Sequence, residues 1–131
     1  MAIRETYSGN PPIHGLAQAV KFGDTIYVAG TTAYREDGPP PEGMEAQMRV
    51  AYAKIADALA HFGATLADVV EQTVFVTNME EAIAARHVRI EAYGAAGDSF
   101  PASATVEVTG LGRPGLLVEI KVSARLQAER N

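Results

Sequence analysis

The chain has 131 residues, 47% apolar and 21% charged, which suits one globular domain spanning residues 1–131 that buries about two-thirds of its unfolded surface. It contains no cysteine, which removes disulfides, thiolate nucleophiles and cysteine-ligated zinc together. A net charge of −5 without any cluster of Lys and Arg interleaved with aromatics argues against nucleic acid as a partner, and no stretch nears the roughly 18 apolar residues of a membrane span.

The opening residues MAIRETYSGNPP lack a basic segment followed by an apolar run, so a cytoplasmic protein is expected. In LAQAVKFGDTIYVAGTT, two short apolar runs, 17–22 and 25–30, flank Gly23-Asp24, a pair that predicts a two-residue hairpin turn. REDGPPPEG then concentrates Pro, Gly and charge, and predicts a surface connection with more freedom to move than its surroundings. Met44, Met48, Ala51, Tyr52, Ile55, Leu59 and Phe62 recur at the spacing of one helical stripe, which Gly63 stops. The run VVEQTVFV, residues 69–76, is rich in β-branched residues and predicts a buried strand. Asn78 offers an N-cap, with Glu81 as capping-box partner, for a second helix reaching about Gly94. Residues 104–109 and 116–124, separated by GLGRPG, predict a closing hairpin. The order ββαβαββ makes a two-layer α+β sandwich, with two helices on one face of a mixed sheet. The other face needs a cover, which small domains commonly find in copies of themselves.

His14, His61 and His87 never stand at i, i+4, and no metal-binding motif is present, so no metal is expected. His61 in the last turn of the first helix suits the helix dipole, and His14 reads as an exposed loop residue. Neither a GxSxG elbow nor a phosphate loop occurs. Gly30, at the end of the second strand, either lets a ligand approach backbone N–H groups or makes a simple turn. Arg86 falls in the same helical sector as Met79, Ile83, Ile90 and Tyr93 and needs a partner there. It either snorkels to water or pairs with a carboxylate at a subunit contact, or it faces a cleft and binds an anion. Alternation along the closing hairpin groups Ala104, Val106 and Val108 with Val118, Ile120 and Val122 on a dry face. It groups Ser103, Thr105 and Glu107 with Glu119 and Lys121 on the other, with Thr105 opposite Glu119. That strip is either an exposed face or the wall of a site.

Taken together, GLAQAV, YVAGTT, VVEQTVFVTNMEEA, FPASATVEVTGL and LVEIKVSA resemble the reactive intermediate deaminase family, RidA or YjgF, over nearly the whole chain. The resemblance implies a chorismate-mutase-like ββαβαββ fold and a homotrimer with a small-molecule cleft at each subunit interface. It implies cofactor-free hydrolysis of imines and enamines, such as 2-aminoacrylate, to oxo acids and ammonia. By motif, Glu119 positions water and Gly30 or Thr31 supplies a backbone N–H. The family's carboxylate-binding arginine directly follows PA, where this chain has Ser103. Leu16 replaces a usual tyrosine, Thr105 a frequent cysteine, and Arg86 a frequent pocket asparagine. The implied site is therefore Glu119 and Thr105 for the chemistry, with Gly30, Thr31, Ser103, Arg86, Leu16 and Tyr93 binding substrate, and no cofactor or metal. Losing the guanidinium at position 103 weakens carboxylate binding by roughly 10- to 150-fold, so either Arg86 restores a cation from the helix side or the substrate lacks a carboxylate. A deaminase or related hydrolase of altered specificity is the first expectation. A non-catalytic trimer that binds a metabolite or regulates a partner is the second, and an RNA-cleaving protein the third.

Overall fold

In the computed structural model, which describes residues 3–9 and 11–127, Gly23 takes φ 64°. This left-handed turn folds β2 (Ala19–Phe22) back onto β3 (Thr25–Thr31), with Phe22 opposite Thr25 as the sequence predicts. A short strand not foreseen in the sequence, β1 (Arg4–Tyr7), pairs antiparallel with β2. Its residues RETY carry no apolar alternation, and the Lys21–Glu5 ion pair at 3.0 Å joins it to β2.

Helix α1 (Met44–His61) buries the predicted stripe, with Met44, Met48, Ala51, Tyr52, Ile55 and Leu59 all in the core. Gly63, at φ 79°, ends it in the left-handed conformation. The Pro-rich connection before α1 is tied to the fold at Pro41, and Tyr34 just ahead of it is covered by a cation. Gln47 Nε2 donates to the carbonyls of Pro41 (3.0 Å) and Gly115 (2.9 Å), and the Arg113 guanidinium lies 4.0 Å over the Tyr34 ring. A 3-10 turn (Leu66–Asp68), capped by Thr65, leads into β4 (Val69–Val76), whose bounds match the predicted strand.

The second helix is two helices. Ala85 (φ −99°, ψ 8°) separates α2 (Met79–Ala84) from α3 (Arg86–Ala95). Along both, Ala82, Ala85, Val88 and Tyr93 are buried, while Ile83, Arg86 and Ile90 are exposed, so the buried face lies to one side of the predicted sector and fully takes only Tyr93 from it. Asn78 Oδ1 accepts the Glu81 N–H at 2.9 Å, as an N-cap should. The Met79 N–H donates to Glu107 Oε1 at 2.7 Å, so a strand carboxylate shares the cap.

The closing hairpin does not form. In the sheet order β1-β2-β3-β6-β4-β5, strand β6 (Val118–Arg125) inserts between β3 and β4, antiparallel to both. Strand β5 (Ala102–Glu107) runs parallel to β4 at the edge. A strand followed by helices and a return to the same sheet gives parallel pairing, and this crossover overrides the turn signal in GLGRPG.

The change of partner reverses the predicted faces of β5. Val74 sits beside Thr105 and Ile120, Gln72 beside Ser103 and Val122, and Val76 beside Glu107 and Val118. Residues side by side in a sheet share a face, so Ser103, Thr105 and Glu107 lie on the helix side with Val118, Ile120 and Val122. Glu119 and Lys121 lie with Ala104 and Val106 on the bare side, and Thr105 is not opposite Glu119. The apolar residues of an edge strand need not point to the core. Here Val106 is 42% exposed on the bare side, where Tyr27 is 49% exposed.

Candidate functional site

At the junction of β3 and β6 the pairing register shifts between Val28 and Thr31. Glu119 lies over this bulge so closely that a Cβ on Gly30 would collide with its carboxylate. Glycine at position 30 is therefore what admits the Glu119 side chain to the backbone of β3, on the bare face. Neighbouring Thr31 is buried, its Oγ1 accepting from Gln18 Nε2 (2.8 Å) and donating to the Ala29 carbonyl (2.8 Å). Its hydroxyl is committed to the fold. Leu16, Gly30 and Thr31 border a recess of about 200 Å³ together with Lys54 and Asp57. Lys54 Nζ donates to the carbonyls of Thr32 (3.0 Å) and Tyr34 (2.7 Å), and burial holds its pKa below the ordinary lysine value.

A second recess of about 200 Å³ opens between α1, α2, α3 and β5. Thr105, Arg86 and Arg89 stand at its polar side, and Met48, Tyr52, Met79 and Ile83 supply apolar wall. Arg86 thus faces a cleft, and it forms no ion pair with a described residue. Glu107, on the same strand as Thr105, is held by its bond to the start of α2.

Ser103 is joined to the core by a chain of hydrogen bonds. Tyr52 and Tyr93 hydroxyls both donate to Gln72 Oε1, at 2.9 and 2.8 Å, and Gln72 Nε2 donates to Ser103 Oγ at 3.0 Å. The two phenols fix the amide orientation, because Oε1 is the acceptor they share. Ser103 Oγ therefore accepts from within, and its own proton is free to donate outward. Burial pushes Tyr52 up to about 12. It raises Tyr93 further, with Tyr52 adding to the rise, so both remain neutral donors. Tyr93 is fully buried and does not itself line the recess; its neighbour Tyr52, 5.7 Å away between ring centroids, does.

Within one chain, the residues expected to form one site fall into two halves. Gly30 and Glu119 open on the bare face, while Ser103, Thr105 and Arg86 stand at the β5 edge on the helix side. Sequence reasoning missed Gln72, Tyr52 and Arg89. The available signal was Gln72, a polar residue within an otherwise apolar inward row of β4. The histidines serve separate places. His14 is exposed in a loop, His61 stacks on Tyr7 at 4.7 Å, and His87 Nε2 meets Glu45 Oε1 at 2.6 Å. Among the described residues, no group of three or more His, Asp and Glu could hold a metal. No described helix is long and apolar enough to cross a membrane.

The sequence profile described as Endoribonuclease L-PSP matches residues 8–126. This chain belongs to that family, the RidA/YjgF family. The RutC family protein YjgH of Escherichia coli K12 is a relative at 33% identity over 114 residues, covering 86% of this chain and 84% of YjgH. Among solved RidA/YjgF structures, Rv2704 of Mycobacterium tuberculosis, a member of the YjgF/YER057c/UK114 family, is 36% identical with a TM-score of 0.79. That match covers 94% of this chain and 99% of Rv2704. E. coli TdcF with bound serine is 21% identical with a TM-score of 0.84, over 97% of this chain and all of TdcF, a likeness of fold.

Proposed function

We propose that this RidA/YjgF protein is a cofactor-independent hydrolase of small imines or enamines, working in clefts between the subunits of a homotrimer. The observation that carries the reading is the division of the site. Glu119 lies over Gly30 on the bare face, and the hydroxyls of Ser103 and Thr105 stand at the β5 edge on the other. Groups on opposite faces meet one substrate when the β5 edge of one copy lies against the Gly30–Glu119 corner of the next. The exposed Tyr27 and Val106 of the bare face support such an assembly.

In that cleft Glu119 takes a proton from water as the water oxygen adds to the C=N carbon, giving a carbinolamine. Ser103 and Thr105 donate hydrogen bonds to the substrate, and the N–H groups of Gly30 and Thr31 stabilise developing negative charge. Glu119 returns that proton to the nitrogen, then takes the carbinolamine's hydroxyl proton and delivers it to the departing nitrogen as the C–N bond breaks, so that an oxo compound and ammonia leave. Ser103 in place of the family's arginine alters specificity, and Arg86 supplies a cation from the helix side.

The test is oxo-acid formation from freshly generated 2-aminoacrylate and from imines of larger amino acids. Turnover above the buffer rate, reduced about 100-fold or more in Glu119→Gln with assembly intact, is expected. Rates equal to buffer for every substrate would leave a second reading, a non-catalytic trimer that binds a metabolite. That reading is favoured by Ser103, whose hydroxyl is tied to Gln72 where a cation would otherwise hold a carboxylate. Cleavage of RNA, which the family description suggests, finds no support in a net charge of −5.

A further inference from the structure

The described Lys and Arg that have no carboxylate partner differ in what surrounds them, and two of them share a recess. Lys21, Arg35, Arg49 and Arg125 pair with carboxylates, Lys54 is held by two carbonyls, Arg113 lies over Tyr34, and Arg4 and Lys121 stand exposed on strands. Arg86 and Arg89 line one recess, and neither forms an ion pair with a described residue. Three residues apart on α3, they are neighbours on the helix surface, and their charges repel. Arg89 is half-buried, near enough to the Tyr52 and Tyr93 hydroxyls that its charge opposes the rise burial gives both.

We infer that this recess binds an organic anion with an apolar arm, its acid group shared by Arg86 and Arg89. Guanidinium forks match the oxygens of a carboxylate or a phosphate monoester, and an anion between the two arginines removes their repulsion. Apart from Thr105, the rest of the recess is apolar. Met48, Tyr52, Met79 and Ile83 offer a wall that a small polar substrate would leave bare, and Ile83 is otherwise exposed. A volume of about 200 Å³ limits the arm to one ring or a short chain. The inference rests on the proposed cleft in taking β5 as its outer wall. It concerns what is bound, not whether a C–N bond is broken.

Calorimetric titration of the full chain with phenylacetate, phenyl phosphate, phenylacetamide and acetate tests it. Phenylacetate or phenyl phosphate should bind saturably, and which of the two binds tighter identifies the acid group. Phenylacetamide, which lacks the charge, and acetate, which lacks the arm, should each bind about tenfold more weakly or worse. Arg86→Gln and Arg89→Gln should each raise the Kd of the acid by roughly tenfold or more, with circular dichroism unchanged. Equal affinity for phenylacetamide and phenylacetate would overturn the inference. So would equal affinity for acetate, indifference to both arginine substitutions, or no binding of either aromatic acid at millimolar concentrations. Acid binding that persists in a protein inert toward every imine sinks the hydrolase reading alone. Imine turnover with acid binding indifferent to the arginines sinks this inference alone.

Discussion

Ser103 and Gln72 show how far single residues can be read. Ser103 is visible in the sequence as the residue that follows PA, but its behaviour depends on a glutamine 31 positions earlier and on two tyrosines from different helices. No spacing rule links those four, because the contact is made by sheet register and helix packing. The phenols give a test by pH. Tyr52 is raised from about 10 in the unfolded chain to about 12 in the fold. A raised pKa means that its stabilising contribution is complete below pH about 10 and is lost as pH rises toward about 12. Two units correspond to about 3 kcal/mol at most. Urea unfolding of the parent chain should therefore show stability falling steeply above pH about 10. In Tyr52→Phe the fall should be shallower, and the stability lower at neutral pH because Gln72 loses a donor. An unchanged alkaline slope would mean that the buried phenol is not what titrates.

At the scale of elements, the segments that announce themselves locally are the ones the sequence predicts well. The β2–β3 turn, the α1 stripe, the bounds of β4 and the Asn78 cap are each decided by neighbouring residues. The closing hairpin fails because its turn residues are compatible with two topologies, and the crossover from β4 through α2 and α3 decides between them. That one misassignment puts Ser103 and Thr105 on the wrong face relative to Glu119, so their residue types were legible as site-like while their geometry was not. The shared cap on α2 gives a separate prediction. Asn78→Ala removes the acceptor for the Glu81 N–H, and Glu107→Ala the one for the Met79 N–H. Each should cost about 1 kcal/mol, a few degrees of Tm by differential scanning calorimetry. Because α2 carries Met79 and Ile83 into the recess, the same variants should weaken ligand binding modestly while leaving kcat nearly unchanged. A fall in kcat with binding intact would place Glu107 in the chemistry instead of the cap.

At the scale of the whole molecule, the bare sheet face is the feature that one chain leaves unresolved in physical terms. Tyr27, Phe75 and Val106 lie on it with Glu119 and Lys121, a mixture too apolar for a face that stays wet. The need for a cover follows from the sandwich alone, but how many copies supply it depends on angles that side-chain patterning does not encode. The proposed trimer ties assembly to activity, because each cleft takes Glu119 from one copy and Ser103 and Thr105 from another. Tyr27→Asp places a charge on this face without touching either half-site in its own chain. In sedimentation velocity it should shift the protein from the mass of three chains to that of one, with circular dichroism retained. Imine turnover should fall with the fraction assembled and recover at high protein concentration. Full activity in a dissociated chain would require both halves to serve one substrate within a single subunit, and they lie on opposite faces of the sheet with β4 between β6 and β5.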